Sequence, residues 1–80
     1  MSSPRLNNRL RVYRAEYHLS QQDLADAVGV SRKTISTLEV GRFMPSAVVA
    51  LKLAYYFGVS VEDLFSLPER ERPRPLAPAG

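Results

Sequence analysis

Arg32 and Lys33 lead a short set of side chains suited to reading a nucleic acid, completed by Ser36 and Thr37. At 3.6 residues per turn, positions 32, 33, 36 and 37 share one side of a helix while Ile35 and Leu38 turn to the other. Two cations in a helix's first turn oppose its dipole, at a cost of about 0.3–1 kcal/mol each. Stability alone would favour Asp or Glu there. Arginine is the side chain that bonds guanine O6 and N7 bidentately, worth about 1–3 kcal/mol of discrimination, and Ser and Thr can bond a base edge or touch a thymine methyl. This is the pattern expected of a reader of double-stranded DNA, with at least one guanine in each half-site, the alternative being a solvated charged pair on an exposed helix.

Catalytic chemistry finds little support. With no cysteine there is no disulfide, thiol nucleophile or thiolate zinc site, and the single histidine, His18, cannot build a cluster. The glycines are too dispersed for a phosphate-cradling loop. The pairs Asp23/Asp26 and Glu62/Asp63 read as helix caps and solvated groups. We expect no enzyme, no cofactor and no metal. No apolar run approaches the roughly 20 residues a membrane helix needs. Met-Ser-Ser-Pro-Arg has no apolar signal region, so the cytoplasm is the expected location.

These side chains need a scaffold, and 80 residues allow one small core. The pattern predicts a basic arm over 1–6, a helical body over 7–67 and a disordered Pro/Arg-rich tail over 68–80. Leu10, Tyr13 and Tyr17 mark a first helix over about 7–17, with Asn7 or Asn8 as its cap. Ser20 opens a second with Asp23 three residues on, and Gly29 ends it. Ser31 caps the third, which stops before Gly41. Ser46 caps the fourth, whose apolar run Val48–Phe57 ends at Gly58. Ser60 and Asp63 open a fifth over Val61–Ser66. The formal charge is +3. Residues 1–45, with seven basic and four acidic side chains, hold a charge equal to that whole excess.

Between Gln21 and Val40 the order of residues suits two tightly crossed helices. Ala25 is small, Gly29 turns, Val30 plugs the turn, and Ile35 and Leu38 pin the second helix. Here the chain resembles the phage Cro/lambda-repressor-like helix-turn-helix proteins, the XRE family, from Asn8 to Phe65. Leu19-Ser20-Gln21-Gln22-Asp23-Leu24-Ala25, Val28-Gly29-Val30-Ser31, Ile35-Ser36-Thr37-Leu38-Glu39, Gly41-Arg42 and Pro45-Ser46 carry the likeness, with Gly58-Val59-Ser60-Val61-Glu62-Asp63-Leu64-Phe65 beyond. The resemblance implies an all-α, five-helix DNA-binding domain with the helix-turn-helix at helices 2–3. It places Arg32, Lys33, Ser36 and Thr37 at the bases, and Gln21, Ser31, Arg42 and Phe43 at phosphates. Phe43 alternatively packs against Met44 or helix 4. Val40 departs from the family, which often has Asn there. Arg14 and Glu39 match a buried or half-buried salt bridge between helices 1 and 3. His18 stands where the family commonly has Gly.

Helices 4 and 5 carry more apolar residues than one buried stripe accommodates, and surplus apolar surface suggests a partner. The resemblance implies a homodimer through helix 5 and its preceding loop, on a palindromic operator. Val59, Val61, Leu64 and Phe65 are the expected interface, the alternative being that they close the monomer core. Leu6 and Phe65–Leu67 are candidates for a short strand pair. Repression by blocking polymerase is the simplest mode, and activation by touching polymerase beside the promoter is equally open. Two other assignments stay open: an antitoxin-type or other protein-interaction module, and a restriction-system controller protein.

Overall fold

In the computed structural model, which describes residues 6–42 and 44–77, five helices are arranged in chain order and clasped by a two-stranded sheet. The helices are α1 (Leu10–Glu16), α2 (Gln21–Val28), α3 (Arg32–Glu39), α4 (Ala47–Phe57) and α5 (Val61–Leu64). Strands β1 (Asn7–Asn8) and β2 (Phe65–Ser66) pair antiparallel, Asn7 opposite Ser66 and Asn8 opposite Phe65. The expected pairing near the two ends of the body is thus present, one residue later than Leu6.

Four serines set the starts of four helices. The Oγ atoms of Ser20, Ser31, Ser46 and Ser60 accept from the backbone N–H three residues on. At Ser20 and Ser60 the carboxylates of Asp23 and Asp63 return the bond to the serine N–H, both at 3.0 Å, completing capping boxes. Asp23 thereby titrates below the usual aspartate range, chiefly through its bond from the Ser20 backbone N–H. Between α2 and α3, Gly29 takes the left-handed conformation (φ +75°). The N–H groups of Gly29 and Val30 both reach the Ala25 carbonyl, at 2.9 and 3.0 Å, which folds the chain back at once.

The core draws on every helix: Leu10, Leu24, Ile35, Leu38, Leu53 and Leu64 are wholly buried. Ala25 is buried where α2 faces its neighbours, and Val30 packs against the same cluster. Phe57 collects the rings of Tyr13, Tyr17 and Tyr56, with centroids 5.4–5.8 Å away. Burying one such leucine contributes about 1.5–3 kcal/mol, so a few of them decide whether this small domain folds.

Three boundaries differ from the sequence reading. α1 begins at Leu10 rather than near 7, because Asn7 and Asn8 are taken up by the strand. α5 stops at Leu64 rather than Ser66, because Phe65 turns extended (φ −135°, ψ 135°) to join β2. The tail, expected to be without structure from Pro68, first makes a 3-10 turn over Glu69–Glu71. Residues 1–5 of the expected arm lie outside the described residues, and Leu6 packs on the core.

Candidate nucleic-acid interface

The third helix divides sharply. Ile35 and Leu38 are wholly buried, Arg32 and Lys33 are exposed, and Ser36 and Thr37 lie half-buried between. The four side chains expected at the bases therefore stand on one continuous outer face. No acidic residue occupies the first turn of α3, so Arg32 and Lys33 face the positive end of the helix with no local counter-charge on it. The Thr37 hydroxyl donates back to the carbonyls of Lys33 (2.9 Å) and Thr34 (3.1 Å). That fixes its rotamer and leaves the oxygen free to accept.

Ser31 caps α3, its Oγ accepting from Thr34 N at 3.1 Å and lying 2.9 Å from the Thr34 hydroxyl. Arg42 is exposed in the turn after Gly41, its N–H held by the Thr37 carbonyl at 3.1 Å. Phe43 lies outside the described residues.

What holds α3 at its angle is a buried ionic cluster. The Glu39 side chain is 0% exposed and Arg14 only 19%. Arg14 Nε donates to Glu39 Oε2 at 2.6 Å and its Nη2 to Oε1 at 3.1 Å, a forked pair across α1 and α3. Its Nη1 reaches the Leu19 carbonyl at 2.8 Å. Burial pushes the Glu39 carboxyl up, but the bonds from Arg14 and Gln21 and the charges of Arg14 and Arg11 prevail and hold it below the usual glutamate range. Reciprocally, the hydrogen bond to Glu39 raises Arg14 against the smaller effect of its own burial. The predicted salt bridge is present.

Two members of this cluster were not apparent from sequence. Gln21, expected at a phosphate, donates its Nε2 to Glu39 Oε1 at 3.1 Å. One N–H of that amide remains to donate elsewhere. Arg11, 64% exposed, brings its Nε to 3.7 Å from the same oxygen. A signal did exist: a buried carboxylate has about four acceptor positions, and one forked arginine does not fill them. Asn8 was read only as a cap. Its Oδ1 does accept from Leu10 N at 2.9 Å, but its Nδ2 also donates to the Leu38 carbonyl, tying β1 to the end of α3.

Two residues expected in a dimer interface are elsewhere. Leu64 and Phe65 are buried in the monomer, at 0% and 5% exposure. The strand pairing with Asn7–Asn8 pulls α5 inward, so these two close the core and have no side-chain surface for a partner. Val59 and Val61 remain half-buried. With Leu51, Ala54 and Tyr55 they line a shallow hollow, and Val48, Leu51 and Tyr55 form an exposed stripe along α4. No helix among the described residues is long and apolar enough to cross a membrane.

A helix-turn-helix family model matches residues 10–64. The chain is 46% identical over 66 residues to the uncharacterized HTH-type transcriptional regulator MJ0272 of Methanocaldococcus jannaschii, across 82% of this chain and 100% of that one. It is 32% identical over 60 residues to the cryptic phage CTXphi transcriptional repressor RstR of Vibrio cholerae, across 75% of this chain and 54% of the repressor. Among solved structures it is similar to the restriction-modification controller protein C.AhdI of Aeromonas hydrophila. The TM-score there is 0.66 at 37% identity, over 71% of this chain and 86% of that one. The scaffold that presents α3 and the matched span agree, and the chain belongs to the Cro/C1-type (XRE) family of helix-turn-helix transcriptional regulators, DNA-binding proteins and not enzymes.

Proposed function

We propose that this regulator binds a two-fold symmetric operator as a homodimer, with α3 in the major groove of double-stranded DNA. Arg32, Lys33, Ser36 and Thr37 meet base edges, and Gln21, Ser31 and Arg42 meet phosphates. The observation that carries this reading is the division of α3: its apolar residues are wholly buried while two uncompensated cations stand on the outer face. For the dimer, support comes from Val59 and Val61 beside exposed Leu51 and Tyr55, the last 82% exposed. Two copies joined there would set their recognition helices about 34 Å apart, one turn of DNA.

Selection from a random duplex library, with sequencing of the bound fraction, tests the reading. A palindromic motif with guanine in each half-site is expected. Tight binding of the selected duplex that survives Arg32→Ala with Lys33→Ala would refute the placement of α3. The likeness to C.AhdI favours a second, narrower reading, that this chain too is a restriction-system controller. Restriction and modification genes beside its own would support that, and their absence from the neighbourhood would count against it.

A further inference from the structure

A groove of about 730 Å³ opens between the α3–α4 loop, α4, α5 and β2, floored by Leu6, Ala50, Val61, Phe65 and Leu67. One acidic side chain, Glu62, stands at it. The chain itself leaves from this groove. After the 3-10 turn, Arg72 lines the rim, its Nε donating to the Leu67 carbonyl at 3.0 Å, and its backbone is extended (φ −80°, ψ 125°). Pro73-Arg74-Pro75-Leu76 follows, and Leu76 is 106% exposed. An apolar side chain wholly in water and an apolar groove open to water thus lie four residues apart in the chain.

We propose that the groove receives the segment Pro73–Leu76 of a second copy, Leu76 entering its apolar floor and Arg74 pairing with Glu62. Two chains then exchange tails across the dimer, and the proposal rests on the homodimer reading above. Charge favours this occupant: residues 73–77 carry one arginine, Arg74, and no acid, and Glu62 is the carboxylate at a groove whose rim also holds Arg72. Continuity favours exchange. Val61 lines both this groove and the hollow it shares with Leu51, Tyr55 and Val59, so a tail crossing the two-fold meets the groove directly. Pro73 and Pro75 favour the extended polyproline conformation before docking, which lowers the entropy lost on binding. At about 3.1 Å per residue that conformation sets Arg74 and Leu76 about 6 Å apart. Leu76, wholly exposed, does not occupy the chain's own groove.

The chain has no cysteine, so Ala77→Cys gives one attachment point for a spin label. Labelled chains are mixed with ¹⁵N-labelled chains carrying no spin label. We expect intermolecular broadening of the Val61, Glu62 and Phe65 amides. In parallel, sedimentation measures the dimer dissociation constant. Leu76→Asp is expected to raise it about tenfold, equivalent to about 1.4 kcal/mol. Glu62→Arg also raises it, and adding Arg74→Glu to that variant lowers it again. A wild-type dimer with no intermolecular broadening, and unmoved by Leu76→Asp, overturns the exchange and leaves the dimer reading intact. A second sample, chains carrying both ¹⁵N and the spin label diluted into unlabelled chains, reads the intramolecular effect: broadening there with none in the mixture also overturns it, placing the tail in its own groove. A wild-type chain that stays monomeric at every concentration overturns the dimer and the exchange together.

Discussion

Glu39 does the most positioning of any single residue. It sits at the end of α3, has no exposed side-chain surface, and gathers donors from α1 and α2. Removing its main partner by Arg14→Ala leaves a buried carboxylate short of a counter-charge, and we expect a loss of about 3–5 kcal/mol in thermal or urea unfolding. The same cluster sets an acid limit. The folded state holds the Glu39 carboxyl below its ordinary value of 4.5. Its stabilisation is therefore complete above that value and is lost as pH falls through the folded value. Glu39→Gln should flatten the acid side of the stability–pH curve and leave the neutral side without a new slope. Residues at the DNA face separate by a different measurement. Arg32→Ala should relax base preference at one operator position and cost about 1–3 kcal/mol there. Arg42→Ala should weaken all sequences alike and reduce the salt slope by about one.

At the scale of elements, the helix starts were legible because caps are local. A serine, the backbone three residues on and an aspartate meet within one turn, whatever the rest of the chain does. The end of α1 shows the cost of departing from such a rule. His18 adopts φ +56° where Gly41, at φ +76°, occupies the matching left-handed position two residues past the end of α3. A side chain pays about 1–2 kcal/mol in that region. We expect His18→Gly to raise stability by about 0.5–1 kcal/mol, the unfolded chain's greater freedom offsetting part of the gain. Conversely, Gly29→Ala should cost about 1–2 kcal/mol through its backbone alone, since a Cβ there meets only Lys52 Nζ, at 4.0 Å. Both are read from midpoints of thermal unfolding. Leu64 and Phe65 were misplaced for the opposite reason. Which side of a four-residue helix faces inward is set by Asn7 and Asn8, nearly 60 positions earlier, and periodicity within the helix carries no trace of that pairing. The Gln21–Glu39 bond was hidden in the same way, since its signal was an unfilled acceptor rather than a motif.

For the whole molecule the question is how one short recognition helix achieves specificity. Four side chains read few base pairs, and non-specific attraction to phosphates is shared by every sequence. Joining two copies multiplies the reading without enlarging the domain, provided their spacing is rigid. The proposed interface on Val59, Val61, Leu51 and Tyr55 is built on α4, the α4–α5 link and the first residue of α5, and all three pack on the core that holds α3. Such a dimer has one fixed distance between its recognition helices, so it should tolerate no change in half-site spacing. Five base pairs inserted at the centre of the selected operator turn the second half-site to the far side of the duplex, and affinity should fall to that of a single half-site. Ten inserted base pairs restore the face but add about 34 Å of distance, and affinity should stay low. Two monomers binding independently would be indifferent to both insertions. Val59→Asp gives the matching protein variant. It should bind the intact operator no better than the operator with inserted base pairs, and its affinity for a lone half-site should be unchanged, as measured by titration of labelled duplexes at fixed salt.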